Sequence, residues 1–111
     1  MRESAAELKA LRGYWADAEL IGDGEKKYVL LPTFVVRNGS EAKTITALLR
    51  PWANGDGYTT RLFFSERFTA KGNNWNVFNI LGRTWHACSW QSVSEDLPWL
   101  EIVASHLRPL Q

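Results

Sequence analysis

Along this chain the hydrophobic positions switch from a helical period to a strand period and back. In residues 2–12, Ala5, Leu8 and Leu11 recur at helical spacing and Gly13 supplies a stop, which predicts a short amphipathic helix. Residues 16–21 fit neither period, and Gly22, Asp23 and Gly24 then mark a turn. Residues 27–37 are dense in β-branched and aromatic side chains and predict a strand, with an edge or a bulge at Pro32 because proline cannot donate to a ladder. Asn38 and Gly39 tolerate the positive φ of a tight hairpin turn. They lead into a strand at 43–50, where Ile45, Ala47 and Leu49 face one way and Thr44 and Thr46 the other. Residues 51–57 break the alternation, and Tyr58, Thr60, Leu62 and Phe64 resume it in a third strand at 58–64. After a polar loop at 70–74, residues 75–81 read as a fourth strand that ends or bulges at Gly82.

A second helix is expected from Asp96 or Leu97, with Asp96 as its cap, Pro98 in its first turn and Glu101 near the positive end of its dipole. Leu100, Val103 and Leu107 form its apolar stripe and Pro109 stops it. The expected fold is therefore α+β in a single domain, residues 1–111: an N-terminal helix, an antiparallel four-stranded meander sheet, an irregular segment and a C-terminal helix.

Composition narrows the function classes. Hydrophobic content of 45%, charged content of 23% and a net charge of +1 describe a globular chain, neither disordered nor membrane-embedded. Lys26, Lys27 and Arg37 are offset by Glu19, Asp23, Glu25 and Glu41, so nucleic acid is not the favoured partner. No apolar run reaches the roughly 20 residues that span a bilayer, and residues 1–10 lack leader or transit patterning, so a cytoplasmic protein with no membrane partner is expected. The six tryptophans, at 15, 52, 75, 85, 90 and 99, are not interleaved with basic residues on one face, which favours packing over base or sugar stacking.

Chemistry concentrates at the one cysteine, Cys88, in the run Trp85, His86, Ala87, Cys88, Ser89, Trp90. A lone thiol forms no internal disulfide and survives in a reducing compartment, where it is either packing or a nucleophile. If residues 85–89 are extended, His86 and Cys88 share a face with Cα atoms roughly 6.6 Å apart, within reach of mutual influence. If they form a loop, that geometry is lost. His106, one turn before the helix stop, reads as a residue favourable to the dipole. A structural zinc site lacks ligands, and Gly22-Asp23-Gly24 and Gly55-Asp56-Gly57 carry turn chemistry with no phosphate-loop pattern.

The order of helix, meander, cysteine-bearing stretch and proline-started helix, with residues 82–90 as the active-site stretch, resembles the core of ubiquitin-conjugating enzymes. It is most similar to the compact bacterial members of ubiquitin-like conjugation and antiviral-defence operons. The resemblance implies a minimal ubiquitin-conjugating enzyme-like fold with an active-site loop. Cys88 would accept a ubiquitin-like modifier protein from an activating enzyme as a thioester and pass it to an amine on a target protein, with no cofactor and no metal. His86 would be its electrostatic or acid-base neighbour. The His-Pro-Asn motif of the eukaryotic members is absent, which leaves Asn79, or Asn76, as the oxyanion donor. Arg2, Lys9 and Arg12 on the first helix would dock the activating enzyme. The competing expectation is a catalytically inactive adaptor of the same fold that binds a ubiquitin-like protein or an operon partner, with Cys88 merely packing.

Overall fold

The structure is a computed structural model that describes residues 3–24, 26–38, 40–55, 57–68, 75–88 and 93–108. Arg2, Gly39, the 70–74 loop, Ser89, Trp90 and Pro109 lie outside the described residues. Among the described residues eight elements follow one another: α1 (Ser4–Arg12), β1 (Glu19–Asp23), β2 (Lys26–Asn38), β3 (Glu41–Arg50), β4 (Arg61–Phe64), β5 (Trp75–Ile80), β6 (Arg83–Cys88) and α2 (Trp99–Leu107). All six strands join one antiparallel sheet in the order β1-β2-β3-β4-β6-β5.

This corrects the expected architecture. Among the described residues the chain is mostly β, with six strands and two short helices, and is not the four-stranded meander of a ubiquitin-conjugating enzyme-like fold. Two strands account for the difference. Residues 19–23 have no clear period in sequence, yet they pair in full register with β2, from Glu19 opposite Leu30 to Asp23 opposite Lys26. The stretch expected as an irregular active-site loop is instead β6, zipped to β5 from Trp75 opposite Cys88 to Ile80 opposite Arg83. Leu81 and Gly82 turn that hairpin with φ of 57° and 70°, the pair of positive values a type I′ turn demands.

The bulge expected at Pro32 is present. Three residue steps from Leu31 to Phe34 face two from Ala47 to Ile45, and β1 pairs with β2 only as far as Leu30, so the proline breaks no ladder on that side. Both sheet faces are apolar. One buries Val29, Leu31, Phe34, Ile45, Ala47, Leu49, Leu62 and Phe64 beneath Leu8 and Leu11 of α1 and Ile102 and Val103 of α2. The other carries Tyr28, Leu48, Phe63, Ile80, Trp85 and Ala87. All four residues of β4 are therefore buried, against the one-sided alternation expected there.

In α2 the buried stripe is Trp99, Ile102, Val103 and His106, displaced from the expected Leu100, Val103 and Leu107. Trp99 wins the core position because its ring packs edge-on against Trp52, with centroids 5.8 Å apart. Asp96 does not cap the helix. Pro98 holds the cap position, and the carboxylate of Glu7 on α1 accepts the Trp99 backbone N–H at 2.9 Å. A residue 92 positions away thus supplies an acceptor for one of the free donors at the helix start.

Candidate functional site

The β5–β6 hairpin sets the geometry around Cys88. His86 lies opposite Phe64 of β4 and Val77 of β5, and Cys88 lies opposite Trp75. Residues two apart on a strand share a face, so the extended alternative holds: His86 and Cys88 lie side by side on the helix-bearing face. Cys88 packs with Trp75 at the margin of the main core, where Trp75 stands edge-on to Phe64 and Phe68 at 6.0 and 5.6 Å.

That packing governs the thiol. Burial pushes the Cys88 pKa up to about 11, and the nearby positive charge of Arg61 only partly opposes the rise. The Arg61 guanidinium is itself sandwiched between rings, 3.9 Å from the Tyr58 centroid and 4.5 Å from that of Phe78. It donates a hydrogen bond at 3.5 Å to the backbone carbonyl oxygen of Cys88. Among the described residues, two buried nitrogens on this hairpin, His86 Nδ1 and Trp75 Nε1, find no hydrogen-bond partner.

Asn79 does not join this group. It sits opposite Thr84, four residues along β5 from the partner of Cys88, which at ~3.3 Å per residue is ~13 Å from the thiol end of the hairpin. Asn76, opposite Ala87, falls on the other strand parity. Lys9 and Arg12 are exposed on α1, with the Arg12 Nε donating to the Ala18 carbonyl at 2.9 Å.

A second polar cluster escaped the sequence reading. Thr60 Oγ1 donates to the Val93 carbonyl at 2.9 Å and meets His106 Nε2 at 2.8 Å, while Thr59 Oγ1 donates to the same carbonyl at 2.6 Å. With the threonine proton committed to Val93, the imidazole must donate through Nε2–H. His106 is 7% exposed, and burial first, then Arg61 and Arg50, lower its pKa to about 4. It is thus a neutral, buried tie between α2 and the entry to β4, which corrects its reading as a dipole-favoured terminal residue. The signal was present in the sequence: His106 lies four residues from Ile102 and three from Val103, the spacing of a core position.

Two concavities are formed by described residues. One, of about 280 Å³, runs between the segment after α1 and the outer face of α2, lined by Tyr14, Trp15, Leu100, Val103, Ala104 and Leu107. The other, of about 330 Å³, lies on the face opposite the helices. Among the described residues no cluster of His, Cys, Asp and Glu could hold a metal ion, and no helix is long and apolar enough to cross a membrane. Comparison with protein-family models, with characterised proteins and with solved structures gives no match.

Proposed function

We propose that this chain acts by binding another protein, as a non-catalytic adaptor, and that Cys88 is a packing residue. The observation that carries this reading is the setting of the thiol. With a pKa of about 11, a fraction on the order of one in ten thousand is thiolate at neutral pH, and thiolate is the form a thioester carrier needs. The arrangement around it offers little remedy, since Asn79 lies ~13 Å along the hairpin and the charge of Arg61 only partly offsets the effect of burial.

The docking side in this proposal is the groove between the α1 end and α2. Tyr14 is 74% exposed beside it, and exposed aromatics of this kind anchor protein interfaces. Lys9 and Arg12 precede it on α1, and Arg108 follows Leu107, which suits a partner that sets an apolar side chain beside acidic residues. A ubiquitin-like protein is the first partner to test, and the cytoplasm, where a free cysteine persists, is the proposed site of action.

The experiment has two arms. Incubation with a ubiquitin-like modifier, its activating enzyme and ATP yields no thiol-reducible adduct on this protein. Binding to the same modifier, followed by calorimetry, weakens at least about tenfold in Tyr14→Ala and is unchanged in Cys88→Ala. A reducible adduct that disappears in Cys88→Ala overturns the proposal in favour of a transferase.

A further inference from the structure

We infer that the concavity on the helix-free face is a binding site for a small planar aromatic anion. The cavity exists because the sheet curls. β2 and β5 are separated by three strands in the sheet order, yet Lys26 and Tyr28 of β2 line the same space as Phe78 and Ile80 of β5. Its volume of about 330 Å³ matches the low end of the range for small-molecule sites, roughly 300–1,000 Å³.

The floor is aromatic and fixed. Phe63 meets Tyr28 edge-on at 6.3 Å and Phe78 edge-on at 5.2 Å, and both Tyr28 and Phe63 are at most 4% exposed. Rings locked by one another form a preformed apolar wall against which a planar ligand loses little ordering entropy. The rim is polar and carries no carboxylate among the described residues. Lys26 brings an ammonium, and Asn54 brings an amide.

The Asn54 amide has a defined orientation. Arg50, 2% exposed, donates through Nε to the Trp52 carbonyl, through one terminal nitrogen to Asn54 Oδ1 at 2.9 Å, and through the other to the Tyr58 carbonyl. A guanidinium can only donate, so Oδ1 is taken and the Asn54 NH₂ remains as a donor. Gly55 shapes the same rim, with a φ of 89° and open space where a Cβ would stand. A cation and an oriented donor on the rim of a cavity walled by edge-on rings select a flat, acceptor-rich anion, such as an aromatic carboxylate or the base and phosphate of a nucleotide. This site shares no residue with the proposed protein-docking groove, so either reading can fail without the other.

The test is a two-dimensional NMR titration with 1-naphthoate, AMP and, as the uncharged comparison, 1-naphthamide. At least one anion shifts the Asn54 side-chain amide and the Phe63 and Phe78 ring signals saturably, and 1-naphthamide binds more weakly than 1-naphthoate. Lys26→Met weakens the binding anion about tenfold, the loss of one charge-assisted contact. Asn54→Asp abolishes binding with the fold preserved, because the introduced carboxylate still accepts from Arg50 but no longer donates outward. Saturable shifts confined to Tyr14 and Trp15, or no saturable shift with either anion at millimolar concentration, overturn the inference.

Discussion

His106 makes the chain sensitive to mild acid, and the size of that effect follows from its burial. Its folded pKa of about 4 lies below the ordinary value of 6.5, so between these values the unfolded chain binds a proton that the native chain refuses. The stabilisation is therefore fully present above pH 6.5 and is lost as pH falls toward 4. Each pH unit in that interval is worth about 1.4 kcal/mol, which gives about 3 kcal/mol in full and about 2 kcal/mol between pH 7 and pH 5. The comparison variant is His106→Gln, whose amide donates to Thr60 Oγ1 as the imidazole does but never charges. Urea unfolding at fixed salt is the assay. With a slope of about 1 kcal/mol per molar for a short chain, the wild-type midpoint drops by about 2 M from pH 7 to pH 5 relative to that of His106→Gln. Equal losses in the two proteins would refute the buried, neutral assignment.

Other contacts give independent checks. Glu7→Gln weakens the acceptor at the start of α2 and costs about 1 kcal/mol, while Glu7→Ala removes it and costs more, read as successive falls in thermal midpoint. Thr60→Val leaves the His106 N–H short of a buried partner, while Thr59 still donates to the Val93 carbonyl, and destabilises by about 1–3 kcal/mol in urea unfolding at pH 7. Gly82→Ala forces a side chain into the left-handed region and costs about 1–2 kcal/mol, with slower amide-exchange protection lost first along β5 and β6. Trp85→Ala empties the centre of the helix-free face, where Trp85 is fully buried and donates to the Ile80 carbonyl, and costs about 3–5 kcal/mol.

Elements whose signals were local could be read from the chain. The α1 repeat of Leu8 and Leu11, the bulge at Pro32 and the alternation of Ile45, Ala47 and Leu49 each depend on neighbours a few residues away. β1 was hidden because Glu19 to Asp23 is a short edge strand that gains its register from β2, not from its own pattern. β6 was readable only conditionally, since nothing in residues 83–88 announces that Trp75 will lie opposite Cys88. The candidate site was opaque for the same reason. The acidity of Cys88 is set by burial and then by Arg61, and that of His106 by burial and then by Arg61 and Arg50, charges that lie far away in sequence. The cavity on the helix-free face depends on sheet curl, which no single strand encodes.

The central claim is that Cys88 packs and does not carry a thioester, and the pH dependence of its alkylation in the native protein tests it most directly. Iodoacetamide rates measured from neutral to alkaline pH should rise along a titration centred near 11, above that of a free thiol, while the unfolded protein follows the ordinary thiol value. A native titration centred near or below neutrality would contradict the account and return Cys88 to the role of nucleophile.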